Sequence, residues 1–264
     1  VAIGDLVTDY GAYEFNGFKF GHNTNFMVTQ FTGLYDKADI KTTDYARKDA
    51  WGEYPGRDLY KGKALVATID IVNEAGTIDT DVDALRAAWA IPERIGIAAP
   101  VPLVFWRNWP YAGKRFIMCR PGRLSLPSDF DLAYGHGTAL CELKANDPRI
   151  YSLAPTTVAL PGSVVNHGDS AAAPVVTIVG PTSGWAAVLN ASDDNRLFVL
   201  DRALTGAETL VVDFGKRTVL INGSDARQLR DVTSQWWKLQ PGTNVITLPD
   251  PAASASLTFN HTWS

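Results

Sequence analysis

Ala145-Asn146-Asp147-Pro148-Arg149-Ile150-Tyr151-Ser152 decides how the chain divides. Proline fixes its own φ and pushes the residue before it toward extended geometry, so Asp147-Pro148 suits neither a helix interior nor a central strand. Before this stretch the sequence is long and irregular; after it, short apolar runs alternate with turn residues. At 264 residues the chain is longer than one core usually supports, so two domains are expected, 1–146 and 147–264. Asp147, Pro148 and Tyr151 then form an interdomain joint, with Tyr151 as the side chain that docks it. An ordinary surface connector is the plainer alternative.

Working back from the joint, Thr138–Leu143, Arg115–Arg120, Leu103–Trp106 and Ala64–Val72 read as strands. A helix is predicted over about 79–91, entered from Thr77. Asp79, Thr80 or Asp81 can cap it, Val82, Leu85 and Trp89 make one apolar stripe, and Pro92 follows its end. The run Asp79-x-Asp81-x-Asp83 fails the EF-hand pattern, because Ala84 stands where that loop needs glycine and Ala90 where it needs glutamate. Arg107–Gly113 is turn-rich. Residues 10–35 alternate aromatic and polar positions around Asn16-Gly17 and Gly21-His22-Asn23, the pattern of hairpins. The first domain is therefore predicted to be a mixed β-sandwich or barrel-like domain carrying one helix.

Residues 36–62 show no sustained period of 2.0 or 3.6. So long an irregular stretch is rare in a compact domain unless it is functional or disordered. Trp51, Tyr54 and Tyr60 are costly to leave in water. The segment is read as a contact arm that orders on another subunit, through Trp51, Tyr54, Pro55, Gly56, Asp58 and Tyr60.

Beyond the joint, strands are predicted at 156–160, 174–179, 185–189, 196–200, 209–213, 217–221, 236–239, 244–248 and 256–262. Turns fall at Asn166–Asp169, Asp193–Asn195, Thr205-Gly206, Asn222-Gly223 and Pro241-Gly242. Short strands punctuated in this way predict a β-sandwich.

Charge excludes several classes of partner. The chain carries a net −4, with 17 basic against 19 acidic residues in 1–154 and 7 against 9 in 155–264, so neither half is a basic nucleic-acid or anionic-membrane binder. Cys119 and Cys141 lack zinc-ligand companions and are expected to be buried free thiols. The opening Val1-Ala2-Ile3-Gly4-Asp5 has no basic region leading into an apolar core, so a secretion leader is not expected. The apolar stretch 87–106 is interrupted by Glu93, Arg94 and prolines, and membrane insertion is not expected either. No cofactor or metal is implied.

The joint, together with Val164–Asp169, Ala173–Gly180 and Trp236–Leu248, resembles the distal tail proteins of long-tailed bacteriophages. Tyr54-Pro55-Gly56-Arg57-Asp58-Leu59-Tyr60-Lys61-Gly62-Lys63 resembles minor tail proteins of phages infecting actinobacteria. The resemblance implies a structural virion component of the tail tip, assembled in the host cytoplasm. It further implies a homohexameric ring built from the first domain, with a galectin-like or carbohydrate-module-like second domain projecting outward. The implied partners are the tail tube, the hub or tail-associated protein and, at the periphery, tape-measure or fibre proteins, with DNA passing through unbound.

A second class of function is glycan binding by the second domain. Trp185, Trp236 and Trp237 can stack on pyranose faces while Asp193, Asp194 or Asn195 bond hydroxyls, although adjacent Trp236 and Trp237 must point to opposite faces of a strand. Catalysis fares worst. His22, His136, His167 and His261 are scattered at turn-like or terminal positions, and no nucleophile elbow, zinc-protease motif or phosphate loop appears.

Overall fold

In the computed structural model, which describes residues 2–73, 78–91, 99–108, 111–127, 134–206, 208–250 and 254–264, Asn16 and Gly17 take φ of 52° and 75°. They close a tight hairpin between β1 (Ala12–Phe15) and β2 (Phe18–Gly21), with Phe15 opposite Phe18. β3 (Phe26–Thr32) follows. Four short strands, β4 (Ile40–Lys41), β5 (Tyr45–Ala46), β6 (Glu53–Tyr54) and β7 (Leu59–Tyr60), form a separate ribbon. β8 (Lys63–Val72), β9 (Val101–Arg107), β10 (Gly113–Ser125), β11 (His136–Ala145) and β12 (Ile150–Ser152) complete the first unit, Val1–Leu153.

The strand path is β2-β1-β9-β10-β11-β8-β3, with β12 also paired to β10. β10 is long enough to serve two ladders. Gly113–Cys119 pairs β9, while Arg120–Ser125 pairs β11 across an irregularity between Pro121 and Leu124. Such an irregularity bends a strand, and here it lies just past the point where β10 passes from the β9 ladder to the β11 ladder. Alternation on β8 sends Leu65, Ala67, Ile69 and Ile71 inward against Ala139, Cys141 and Leu143 of β11. Both cysteines are free and buried, and burial pushes each thiol up to about 12.

The helix α1 spans Ile78–Ala88. Ile78, Leu85 and Ala88 are buried, as is Trp89 just beyond, while Val82 is only half-buried. Trp89 packs on Phe15 and Phe20 and donates its indole N–H to Glu142 O at 3.1 Å. Asn16 Nδ2 reaches the carbonyl of Ala88, one of the acceptors a helix end leaves open. Asp81 accepts hydrogen bonds from Asn73 and Asn25. The expected entry at Thr77, the stop at Pro92 and the Trp109-Pro110 turn lie outside the described residues.

The second unit is Ala154–Trp263. The domain boundary therefore falls after Leu153 rather than between 146 and 147. The cause is β12, whose Tyr151 and Ser152 pair with Phe116 and Arg115 and so fold residues 147–153 into the first unit. The strands are β13 (Thr156–Leu160), β14 (Gly162–Asn166), β15 (Val175–Val179), β16 (Ala187–Asn190), β17 (Arg196–Val199), β18 (Thr209–Asp213), β19 (Thr218–Ile221), β20 (Ser224–Asp225), β21 (Gly242–Thr247) and β22 (Ser254–Phe259). They make two sheets, β13-β22-β15-β18-β19-β20 and β14-β21-β16-β17. Val176, Ile178, Val212 and Leu257 of one sheet and Val164, Val188, Phe198 and Ile246 of the other share one core. This is a β-sandwich.

Two expectations for this unit need correction. Residues 236–239 are not a strand; the segment touches the sheets through one bridge, Ala172 to Leu239. β14 was not foreseen, and it pairs β21 from Gly162↔Ile246 to Asn166↔Gly242. Among the described residues, no helix is long and apolar enough to cross a membrane.

Candidate functional site

The ribbon of residues 39–61 is the arm. Its register is Ile40↔Tyr60 and Lys41↔Leu59 near the root, then Tyr45↔Tyr54 and Ala46↔Glu53 farther out. Between those pairs residues 42–44 face residues 55–58, so the return strand carries one residue more and bulges at Pro55-Gly56-Arg57-Asp58. The bulge is stitched to the outgoing strand. Thr43 Oγ1 accepts from Arg57 N at 2.9 Å and donates to Arg57 O at 3.1 Å, while Asp44 Oδ1 accepts from Gly56 N at 2.7 Å. A side chain at Gly56 would place Cβ 2.1 Å from Thr43 O, so only glycine lets the strands approach this closely.

At the root, Lys61 N donates to Asp39 O at 2.8 Å, closing the neck of the ribbon. Leu34 and Ala38 are buried beside it, and Lys63 Nζ donates to the carbonyls of Leu34 and Asp36. At the far end Arg47 N meets Gly52 O, Gly52 takes φ of 93°, and Arg47 lies over the Tyr54 ring. Trp51 at the tip is 99% exposed. Ile40, Tyr45, Tyr54, Leu59 and Tyr60 are exposed along the shaft. At about 3.3 Å per residue, the strand from 39 to 50 reaches on the order of 35 Å. Residues 36–62 hold six basic and six acidic side chains, so the arm has no net charge.

A two-stranded ribbon cannot bury its own side chains, and alone it is marginally stable at best. The arm therefore presents an unusual quantity of aromatic surface to solvent. Its chemistry suits a protein partner.

The joint residues sit in the first unit. Asp147 accepts from Arg149 Nε at 2.8 Å, Arg149 Nη2 at 2.7 Å and the Tyr151 phenol at 2.6 Å. Burial raises the Asp147 pKa, but these hydrogen bonds outweigh it and hold the carboxyl below its ordinary value. Burial and the same bond raise the Tyr151 pKa. Pro148 is buried, and the Tyr151 ring stacks on Phe116 at 5.5 Å.

The residues expected to hold a glycan are not brought together. Trp237 is 1% exposed, which takes it out of reach of a ligand, and Trp236 is half-buried against Phe198 and Phe214. Asp193 is buried and accepts from Gln240 Nε2, while Asp194 and Asn195 turn the chain with φ of 54° and 53°. Trp185 is 60% exposed, and Asp194 and Asn195 are exposed in their own turn. His261 is not a surface residue either. It is buried against His167, with Nδ1 accepting from His167 N and Nε2 beside Thr156 Oγ1.

Comparison with known proteins adds a family. Residues 167–263 match the family described as siphovirus-type tail component, C-terminal domain. Among solved structures, Dit (gp 19.1) of phage SPP1 superposes with a TM-score of 0.73 at 13% identity, covering 96% of this chain and 99% of that chain. That protein is described as a paradigm of hub adsorption apparatus in Gram-positive infecting phages. A chain of the phage P2 baseplate in its activated conformation with Ca gives a TM-score of 0.44 at 7% identity over 95% of this chain and 97% of its own. The phage p2 baseplate with Sr gives 0.44 at 8% identity over 94% and 97%. No curated protein matches by sequence. The family match lies within the second unit, and the whole chain shares the fold of the SPP1 Dit structure.

Proposed function

We propose that this chain, a Dit-like structural component of a siphovirus tail tip, closes into a ring by laying its 39–61 arm on a neighbouring copy. The exposed arm carries this reading. A ribbon whose aromatic side chains find no cover on their own unit gains most from a second copy, which is always present at matching stoichiometry. In the ring, first units stand side by side, and copies of the chain join the tail tube above to the hub below. Tape-measure or fibre proteins are peripheral partners. DNA crosses the centre without being bound, a role that suits a net −4 chain. Asp147, Pro148 and Tyr151 fix where the chain leaves the first unit. The role involves no reaction.

The test is light scattering after size exclusion across a concentration series, on the full chain and on one in which two glycines replace residues 40–60. Asp39 and Lys61 are already hydrogen-bonded, so this deletion spares Leu34, Ala38 and Lys63 at the root. The reading expects a ring-sized species that the deletion reduces to monomer. A full chain that stays monomeric at every concentration and also fails to assemble on purified tail tubes would overturn it.

A further inference from the structure

On the β14-β21-β16-β17 sheet, Val188 and Phe198 fill the sandwich core, so their neighbours Ala187, Leu197 and Val199 face the other way. Those three floor an open cleft of about 440 Å³. This volume falls in the range typical of small-molecule sites, roughly 300–1,000 Å³. Its walls come from three connections far apart in sequence, Ser183-Gly184-Trp185, the segment carrying Asp231 and Thr233, and Pro249-Asp250.

The walls are held by internal bonds. Asp250 accepts from the Ser183 hydroxyl at 2.9 Å and from Gly184 N at 2.6 Å, which fixes the loop bearing Trp185. Asp231 Oδ1 accepts from Thr233 N at 2.7 Å and from the Thr233 hydroxyl. Those bonds keep the Asp231 carboxyl below its ordinary pKa, so it is an anion at neutral pH. Its other oxygen takes no hydrogen bond from any described residue. An indole left 60% exposed beside such a carboxylate, over an apolar floor, is the complement of a ligand that is half C–H surface and half hydroxyl.

We propose that this cleft is a saccharide-binding site in which Trp185 stacks on a pyranose face and Asp231 accepts hydrogen bonds from its hydroxyls. A guanidinium would also stack on the indole and meet the carboxylate, so the proposal commits to an uncharged sugar and binding of an arginine-rich peptide is the outcome that counts against it. The site differs from the one that sequence suggested: it keeps Trp185 and replaces the other partners by Asp231, Thr233, Ser183 and Asp250. It does not depend on the ring, and the arm-shortened chain binds as the full chain does, so the two readings fail separately.

The experiment is a glycan array of neutral mono- to tetrasaccharides probed with the labelled full-length chain, with hits measured by titration calorimetry. A saturable hit is expected that Trp185→Ala weakens by roughly tenfold or more, since each factor of ten is about 1.4 kcal/mol and one aromatic contact is of that order. Asp231→Asn weakens it several-fold, and Trp51→Ser on the arm leaves it unchanged. Trp185 is exposed, so its removal leaves the core packing intact. An array without a saturable hit, a hit that Trp185→Ala leaves unchanged, or preferential binding of an arginine-rich peptide would overturn the proposal.

Discussion

Tyr151 donates its phenol to the Asp147 carboxylate at 2.6 Å, and both residues belong to the segment that sequence reads as an interdomain joint, with an ordinary connector as the plainer alternative. Phe116 supports the tyrosine ring from β10 while Arg149 completes the carboxylate's hydrogen bonding. Tyr151→Phe keeps the ring stack and removes one donor to a charged acceptor. The expected loss is about 1 kcal/mol, at the low end for such bonds because Asp147 is 35% exposed and partly screened. For a unit of this size that lowers the first-unit transition by roughly 2–4 °C, read by calorimetry.

Acid acts on the same carboxylate. The folded pKa of Asp147 is lowered, so its contribution is fully present above the ordinary aspartate value of about 3.9 and is lost as pH falls through the depressed folded value. Asp147→Asn removes this dependence. The difference in melting temperature between wild type and variant is therefore expected to hold from neutral pH to about pH 4 and to shrink below it. A difference constant to pH 2 would show that the ion pair is not its source.

Gly56→Val tests the bulge. The new Cβ would meet Thr43 O, so the stitched strands must part and the arm's outer half must re-register. Because the arm is exposed, melting temperature is expected to stay within about 1 °C. The ring-sized species seen by light scattering should be lost at concentrations where wild type keeps it.

Trp237 is a core residue with an unmet demand. Its Nε1 is buried without a hydrogen-bond partner among the described residues. Trp237→Phe removes that orphan donor along with some packing, and the change in urea stability is expected to stay within about 1.5 kcal/mol. Trp237→Ala loses the ring against Phe214 and is expected to cost about 3–5 kcal/mol.

Sequence was informative wherever one face of an element is buried and the other wet. The alternation on β8, β15 and β22 has that origin, and Asn222-Gly223, with φ of 49° and 81°, turns as its composition demanded. β14 escaped notice because Pro161-Gly162 reads as a turn and leaves only Ser163 to Asn166 to show a period. The arm's composition suggested a contact element, and its ribbon form was hidden for two reasons. Both faces are exposed, so no apolar alternation is imposed, and the bulge breaks what period remains. The cleft was legible only as Trp185. Asp231 and Asp250 lie more than forty residues downstream and reach it through tertiary folding alone.

The unequal count across the arm has a mechanical consequence. Ile40 and Tyr45 stand an odd number of residues apart, so the pair Ile40–Tyr60 and the pair Tyr45–Tyr54 face opposite sides of the ribbon. A strap that adheres on one side peels from its neighbour one contact at a time. In the ring proposed above, such a strap would grip one surface near its base and another near its end, as a rivet does, and would come loose from neither without straining both.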